Sequence, residues 1–251
     1  MPRATLACVL EPQPHDPARF ELDARGNPVG HEVSGWTPRP EPERVTLTGR
    51  YVALEPLHSA HYAEIFEATC GEEDDELWTY LSDERPTSLA TLWMVLARRL
   101  ESDPTTYAIV PAEGARAGSP SGVFSLHAID PADGSVELGS VLFGTALRRT
   151  RAATEAVHLI SSYCLDELGY RRFEWKLNSL NEPSRRAAER FGFTYEGRFR
   201  NARVTKGRNR DTDWYSIIAE EWGAVRARNE RWLDPANFDA AGRQLRGLRD
   251  A

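Results

Sequence analysis

The sequence predicts an α/β domain built on a mixed, mostly antiparallel sheet flanked by helices. Three observations support this fold class: β-rich runs cluster in the middle of the chain, amphipathic helical periods lie on either side of them, and residues 137–177 have the order strand, helix, strand. Two strands joined through a helix form a right-handed crossover, which implies one parallel pair inside the sheet.

The first elements are a strand pair followed by two helices. The run "VTLTGRYVALEPL" suggests two strands around Gly49. "SAHYAEIFEAT" predicts a helix with Ser59 as its N-cap, and residues 88–102 predict a second helix. We expect the buried face of this second helix to carry the apolar residues at helical spacing, Leu89, Leu92, Trp93, Leu96 and Leu100. The large aromatic residues of this region are expected in the core rather than in a pocket: Trp78, Tyr80 and Trp93.

The remaining elements follow from the same patterns. "TYAIVPA", "GVFSLHAI" and "SVELGSVLF" predict an antiparallel meander. A long amphipathic helix covers residues 152–168, and Gly169 is a natural stop after it. "RRFEWKL" predicts the next strand, residues 181–191 a helix, and "FTYEGRFR" with "DTDWYSIIAEEW" a terminal hairpin, followed by a polar helix over residues 221–233.

Composition indicates the domain organisation of the chain and its cellular compartment. We divide it into an N-terminal extension (1–44), a domain (45–222) and a C-terminal helix and tail (223–251). The net charge of −7 argues against nucleic acid as a partner of the whole molecule. Cys8, Cys70 and Cys164 are widely spaced and odd in number, which argues against a disulfide framework and favours a reducing, cytoplasmic setting. No apolar run is long enough for a membrane span, and residues 4–10 do not fit a signal peptide.

Several catalytic and cofactor motifs are missing from the sequence. It contains no G-x-G-x-x-G fingerprint, no G-K-[ST] phosphate loop, no H-E-x-x-H zinc motif and no G-x-S-x-G serine elbow. The six histidines have no metal-ligand spacing apart from His58 and His61, so we expect no metal.

Two polar helix starts and one basic run are the candidate ligand sites. The turn before the long helix holds Arg148, Arg149 and Arg151, with Thr150 or Thr154 as a cap, and predicts either a phosphate-type ligand or solvated arginines. The later helix opens with "NSLNEPS", where Asn181 is a natural cap and Ser184 has no evident structural role. The basic run fits a solvated hairpin face, an acidic substrate, a cofactor phosphate or RNA, and consists of Arg198, Arg200, Arg203, Lys206, Arg208 and Arg210.

Three segments together resemble the GNAT superfamily of N-acetyltransferases, in particular its RimJ/RimL-like branch of ribosomal-protein N-acetyltransferases. They are "VELGSVLF…RRTRAATEA", "RRFEWKLNSLNEPSRRAAERFGFTYEG" and "DTDWYSIIAEEW", and the resemblance covers residues 45–222. The pattern N-x-x-N-x-x-S, then A-x-R-x-G-F, then E-G carries it. The resemblance implies the GNAT fold, a mixed and mostly antiparallel sheet with a central splayed parallel strand pair, and acetyl-CoA bound in the V-shaped gap between residues 136–143 and 172–177.

The resemblance also implies the cofactor contacts. The pantetheine arm would pair with the backbone at Val141, Leu142 and Phe143, and the pyrophosphate would lie on the following turn. The family pattern R/Q-x-x-G-x-G/A maps in order onto Arg148, Arg149, Thr150, Arg151, Ala152 and Ala153, with Thr154 next to it. Arg151 replaces the first glycine, so it must adopt a compatible backbone or offer its guanidinium to the phosphates.

By the same resemblance, the reaction is acetyl transfer to a primary amine, a peptide N-terminus or a small amine, by direct attack in a ternary complex. Asn178 and Asn181 would contact the pantetheine, and Ser184 would serve the leaving thiolate. Glu137 is the candidate base acting through water, with a solvent-facing strand residue as the alternative. Backbone N–H groups near Val141 or Leu142 could stabilise the oxyanion.

The acceptor stays open at this point. A basic hairpin repels basic ribosomal proteins, so acidic peptides or small anionic amines suit it better, with Arg203 as the candidate contact. The competing class is a non-catalytic module that binds acyl-CoA, or RNA through the hairpin of residues 198–210. Relatives often dimerise, so a homodimer is a further open alternative.

Overall fold

The computed structural model describes residues 20–240, 242–248 and 250, so the predictions on Cys8 and on residues 4–10 lie outside it. The chain divides into two compact units, one ending at Thr37 and the other beginning at Pro38. The described part of the first unit holds two short antiparallel strands, β1 (Glu21–Leu22) and β2 (Pro28–Val29). Residues 38–44, which the sequence assigned to the extension, belong to the second unit; the other domain boundaries stay a prediction.

The second unit is built on an eight-stranded sheet with the order β3-β4-β5-β6-β7-β8-β10-β9. Its strands are β3 (Leu47–Thr48), β4 (Val52–Pro56), β5 (Thr106–Pro111), β6 (Gly122–Asp130), β7 (Ser135–Phe143), β8 (Arg172–Asn178), β9 (Thr194–Thr205) and β10 (Arg208–Ile218). Every neighbouring pair is antiparallel except β7 and β8, which run parallel. The predicted mixed, mostly antiparallel sheet with one parallel pair is confirmed.

Helices cover both faces of this sheet. They are α1 (Tyr62–Thr69), α2 (Asp75–Trp78), α3 (Leu89–Ser102), α4 (Arg151–Ser162), α5 (Glu182–Phe191) and α6 (Ala219–Leu233). Helices α4, α5 and α6 contribute to the larger core, and α1, α2 and α3 contribute to the smaller one. Successive residues of β6 point to opposite faces of the sheet, so Phe124 and Leu126 pack in the larger core and Val123 packs in the smaller one.

The predicted start of the first helix is wrong. Residues Ser59–His61 form a 3-10 turn ahead of α1, and its cap residue is His58 rather than Ser59. The imidazole of His61 takes over the capping role, because its Nδ1 accepts from the backbone N–H of His58 at 3.4 Å. The short helix α2 was not predicted. Ser88 caps α3 as expected, since its Oγ accepts from the N–H of Thr91 at 3.2 Å.

The buried stripe of α3 also differs from the prediction. Leu92 and Leu96 are fully buried, whereas Leu89 is 43% and Trp93 is 52% exposed. A helix turns by about 100° per residue, so a stripe centred on Leu92, Leu96 and Arg99 leaves Leu89 and Trp93 at its edge. Trp93 therefore lies near the surface, with its ring edge-on to Tyr62. The polar residue Arg99 occupies the buried position that the apolar pattern did not predict.

The last elements agree with the prediction apart from their limits. Helix α4 continues into a π-helical turn, Tyr163–Glu167, and the chain leaves it through Gly169 at φ +71°. Strand β10 ends at Ile218 rather than at Trp222, because α6 begins at Ala219. Trp222 is therefore a buried helical residue.

Candidate active site

The parallel strands β7 and β8 separate soon after they pair. They are in register only from Ser135 opposite Arg172 to Glu137 opposite Glu174. Beyond Glu137 no parallel partner is recorded for either strand among the described residues, so a V-shaped gap opens toward the carboxyl ends of both strands. The gap lies between the two strand segments that the resemblance implied.

A β-bulge shapes the β7 side of the gap. The register with β6 shifts between Ser125 opposite Gly139 and Val123 opposite Leu142, so β7 holds one extra residue there. Ser140 has φ +51°, a left-handed conformation that is uncommon for a residue with a side chain. After the bulge, the predicted pantetheine edge, Val141, Leu142 and Phe143, pairs with β6 on one side and faces the gap on the other.

The turn before α4 presents free backbone donors. Thr150 is the N-cap, because its Oγ1 accepts from the N–H of Ala153 at 3.1 Å. Thr154, the alternative cap, instead donates to the carbonyl of Thr150 at 3.3 Å. The first N–H groups of a helix have no partner inside it, so those of Arg151 and Ala152 point outward at the positive end of α4.

Arg151 has a helical backbone, and its side chain is engaged by other residues of the chain. It is the first residue of α4, and the left-handed residue of the turn is Arg149, with φ +61°. The guanidinium of Arg151 pairs with both carboxylate oxygens of Glu113 and lies over the ring of Tyr51, 4.4 Å from its centroid. This pairing with Glu113 raises the pKa of Arg151. Arg148 and Arg149 are exposed on the same turn.

Helix α5 begins four residues after β8, the second strand of the gap. Asn181 caps the helix as predicted, because its Oδ1 accepts from the N–H of Ser184 at 3.1 Å. Asn178 holds the strand end, with its Oδ1 accepting from the N–H of Leu180 at 3.0 Å. Ser184 Oγ accepts from the indole Nε1 of Trp175 at 3.0 Å, which leaves the hydroxyl hydrogen available for another acceptor.

Glu137 lies at the apex of the gap in a cluster of charges. Its carboxylate is 2.9 Å from Lys176 Nζ, and the same nitrogen lies 2.8 Å from a carboxylate oxygen of Glu174. Lys176 Nζ also lies 3.9 Å from the ring centroid of Trp214. With its side chain only 16% exposed, Glu137 is not the solvent-facing residue of the alternative interpretation. Sequence reasoning missed Lys176, although its place two residues after Glu174 puts both on one face of β8.

A cleft of about 240 Å³ opens beside Glu137 on this face of the sheet. It is lined by Glu137, Lys176, Phe199, Ala202, Arg203, Arg210, Thr212 and Trp214. Within the described part of the chain, three buried polar atoms of this lining have no hydrogen-bond partner: Arg210 Nε, Thr212 Oγ1 and Trp214 Nε1. Buried donors are normally satisfied, so these three atoms are exceptions within the lining. The cleft brings together Glu137 and Arg203, which are far apart in sequence.

The basic run does not act as one surface. Arg198 forms a two-pronged ion pair with buried Asp213, at 2.6 and 3.0 Å, and Lys206 pairs with Glu84 at 3.1 Å. Arg203 and Arg210 lie directly opposite each other on β9 and β10 and face the cleft. Burial, and then the charge of Arg203, lower the pKa of Arg210. The two remaining basic residues, Arg200 and Arg208, are exposed and belong neither to these ion pairs nor to the cleft lining.

The histidine pair noted in the sequence lies away from the gap. Glu55, His58 and His61 each place one potential ligand atom within 4.8 Å of the others. His61 Nε2 is 3.1 Å from Glu55, and burial lowers the pKa of His61. The group has the chemistry of a metal site, although its two histidine rings are in contact with each other, tilted by 35° with centroids 3.7 Å apart.

None of the helices within the described residues is both long and apolar enough to cross a membrane. Cys70 and Cys164 are buried free thiols.

Comparison with known proteins places this fold and gap in a family. A model of the acetyltransferase (GNAT) domain matches residues 52–194. A GCN5-related N-acetyltransferase from Brucella melitensis is 44% identical, with a TM-score of 0.83 over 86% of this chain and 98% of that one. A probable acetyltransferase from Chromobacterium violaceum is 35% identical, with a TM-score of 0.70 over 78% and 98%.

One curated relative belongs to the branch that the sequence suggested. YdaF of Bacillus subtilis, named as a candidate ribosomal N-acetyltransferase, is 30% identical over 105 residues, which are 42% of this chain. The match spans 57% of that relative's length. The family resemblance found in the sequence is confirmed: the chain belongs to the GNAT family of acetyltransferases, whose members transfer an acetyl group from acetyl-CoA to an amine.

Proposed function

We propose that this protein acetylates the primary amine of an acceptor that also carries an acidic group, either a peptide N-terminus or a small amine. The observation that carries the proposal is the cleft beside the gap, where Glu137 and the two facing cations Arg203 and Arg210 share one space. Like charges directly opposite each other destabilise a strand pair. An acidic group bound between Arg203 and Arg210 would relieve this repulsion.

Acetyl-CoA is proposed to lie in the gap between β7 and β8. Its pantetheine arm would pair, as an added strand, with the backbone of Val141, Leu142 and Phe143. The separation of β7 from β8 beyond Glu137 supports this position. The pyrophosphate would bind the N–H groups at the start of α4, in the turn formed by Arg148, Arg149, Thr150, Arg151, Ala152, Ala153 and Thr154.

The start of α5 is proposed to hold the thioester end of the cofactor. Asn178 and Asn181 would position the pantetheine, since both side chains lie at this end of β8 and α5. Ser184 would donate a hydrogen bond or a proton to the leaving thiolate. The contact from Trp175 Nε1 supports this role, because it occupies the hydroxyl as an acceptor and leaves its hydrogen to donate.

Glu137 is proposed to prepare the amine for attack. A primary amine reaches the cleft largely as an ammonium ion, which the carboxylate of Glu137 attracts and deprotonates through a water molecule. Lys176 holds that carboxylate in place, at 2.9 Å. The amine then attacks the thioester directly, and a backbone N–H near Val141 or Leu142 would stabilise the oxyanion.

The experiment is an acceptor panel assayed by release of CoA from acetyl-CoA. It compares peptides with Ser-Glu-Glu, Ser-Gln-Gln and Ser-Lys-Lys N-termini, and small amines with and without a carboxylate. We expect the acidic acceptors to have the highest kcat/KM. Arg203→Gln should raise KM for the acidic acceptors by roughly 10- to 100-fold, since it removes a charged hydrogen bond, and should leave the neutral ones unchanged.

Arg208→Gln is the matched control, because Arg208 lies in the same basic run but outside the cleft. Equal turnover of acidic and basic peptides, or an equal effect of the two substitutions, would refute the acidic-acceptor proposal. The competing function, an RNA-binding or non-catalytic module, has less support because Arg198 and Lys206 are already paired with carboxylates.

We also propose the cytoplasm as the compartment and leave a homodimer as a prediction. The buried free thiols Cys70 and Cys164 support a reducing environment.

A further inference from the structure

A chain of three polar side chains lies beside the gap and has no role in the account so far. Asp103 Oδ1 is 2.7 Å from His127 Nδ1, and His127 Nε2 is 2.9 Å from Ser140 Oγ. The three residues come from separate elements: Asp103 follows α3, His127 is on β6, and Ser140 is the bulge residue of β7. An aspartate, a histidine and a serine linked in this order can carry a proton.

This chain lies at the apex of the gap, next to Glu137. His127 is the cross-strand partner of Glu137. A Cβ atom added at Gly139 would lie 3.1 Å from His127 Nε2 and 3.3 Å from Glu137 Oε1. The imidazole and the carboxylate therefore lie over the same residue, and the missing side chain of Gly139 provides the space for both.

The backbone is arranged to aim Ser140 at His127. The left-handed φ of Ser140 is unfavourable for a residue with a Cβ atom, and such conformations persist where the surrounding structure enforces them. Buried Arg99 contributes by donating from Nη1 to the carbonyl of Ser140 at 3.4 Å. Strain of this kind often marks a functional position, because evolution can remove it elsewhere.

The hydrogen-bond roles within the chain follow from its chemistry. The carboxylate of Asp103 only accepts, so in the neutral ring Nδ1 carries the hydrogen and Nε2 presents a lone pair to Ser140. The ionisable groups around His127 are Asp103 at the end of α3, Glu137 on β7 and Arg99 on α3, with Lys176 of β8 beyond Glu137. When the ring gains a proton, Asp103 stabilises the imidazolium.

The reaction requires two proton acceptors, because an ammonium ion loses two protons on its way to an amide. The first leaves before attack, when the ammonium becomes an amine. Attack forms the N–C bond, opens the carbonyl to an oxyanion and leaves the nitrogen with a second proton to lose. Collapse of this intermediate breaks the C–S bond, and the thiolate takes a proton from Ser184, which solvent replaces.

We propose that Ser140 and His127 remove the second proton. Ser140 Oγ accepts it from the nitrogen of the tetrahedral intermediate while passing its own proton to His127 Nε2, and His127 then releases that proton to solvent. Asp103 is the positioning residue, since it acts only through His127. The inference rests on the proposed function, in which Glu137 takes the first proton.

The pH dependence of two variants separates the two roles. The assay uses the best acceptor of the panel between pH 6 and 9.5. His127→Gln should lower kcat by about 100-fold at every pH, with the KM for acetyl-CoA changed less than about threefold and the melting temperature preserved. Glu137→Gln should recover as the pH rises, because the acceptor loses its first proton unaided above its own pKa of about 8.

Further variants test the chain itself. Added imidazole should restore part of the activity of His127→Ala, and Asp103→Asn should lower kcat with an unchanged KM. His58→Gln, the same substitution outside the gap, is the control and should keep full activity.

Two results would overturn the relay. The first is a kcat of His127→Gln within threefold of that of the parent protein. The second is a loss of activity that is explained by weaker acetyl-CoA binding and that added imidazole does not restore in His127→Ala. Failure of the proposed function is seen separately in the parent protein. If the best acceptor is neutral or basic, the acidic-acceptor proposal is refuted, but the kcat of each variant can still be compared with that of the parent protein to test the relay. No turnover with any amine refutes both proposals.

Discussion

The proposed cofactor side of the gap and the proposed acceptor cleft beside it offer different atoms to a ligand. The cofactor side offers backbone groups: the outer edge of β7 after the bulge and the N-termini of α4 and α5. The acceptor cleft offers side chains from four strands, including Glu137, Lys176, Arg203 and Arg210. A backbone site is expected to tolerate substitution, such as Arg151 in place of a family glycine, whereas a side-chain site is expected to change its ligand with each substitution.

The largest effect that sharpens this comparison is expected from Glu137→Gln. The loss of the carboxylate should lower kcat by about 10²–10⁴ near pH 7 without changing acetyl-CoA affinity, because the proposed acetyl-CoA site does not use this carboxylate. Steady-state kinetics and calorimetric titration measure the two quantities. Glu174→Gln is the control, since Glu174 also pairs with Lys176 but does not line the cleft. A loss of acetyl-CoA affinity in Glu137→Gln would contradict the separation of the cofactor side from the acceptor cleft.

A smaller effect on kcat is expected at Ser184, where the proposed cofactor side and the acceptor cleft meet. Ser184→Ala removes the proposed donor to the leaving thiolate and should lower kcat by about 10²-fold, the usual cost of one such donor. Trp175→Phe removes the indole N–H that holds the hydroxyl, at 3.0 Å, together with part of a buried ring, and should lower kcat less than Ser184→Ala. Ser162→Ala, on α4, serves as the control. Full activity of Ser184→Ala would assign the thiolate donor to another group.

The smallest effect on ligand binding is expected from Arg151→Ala. Its guanidinium pairs with Glu113 and stacks on Tyr51, so the variant should lose stability, roughly 1–2 kcal/mol, seen as a fall of about 3–6 °C in melting temperature. CoA affinity should change less than threefold, because the proposed phosphate contacts are backbone N–H groups. Glu113→Gln should give a similar loss of stability. A tenfold loss of CoA affinity in Arg151→Ala alone would show that its side chain binds the phosphates.

The same difference explains how much of the site the sequence predicts. Helix caps and turns are local, so a few neighbouring residues predict Asn181 as one cap and Thr150 or Thr154 as the other. The strand–helix–strand order predicts the parallel pair. Ion pairs across strands are not local. The pairing of Glu137 with Lys176, 39 positions later, appears only once β7 and β8 lie side by side.

Other parts of the fold were missed for similar physical reasons. The spacing of Leu89 and Trp93 fits a helical stripe, but which face of α3 is buried depends on how the helix packs on the rest of the fold. As a result Arg99 is buried and Trp93 is exposed. The bulge at Ser140 needs an extra residue relative to β6, and its one local signal is Gly139, because a glycine inside a strand often marks a bulge. The chain from Asp103 to Ser140 was invisible in the sequence because it joins three elements.

The most direct test of the account is whether the acetyl group passes straight from acetyl-CoA to the acceptor. Initial velocities are measured while acetyl-CoA and the best acidic acceptor are both varied, and the intact mass of the protein is recorded after incubation with acetyl-CoA alone. Direct transfer in a ternary complex predicts intersecting reciprocal plots and an unmodified protein. Parallel plots together with an acetyl group on Ser140 would contradict it, because Ser140 would then be a nucleophile rather than a proton carrier.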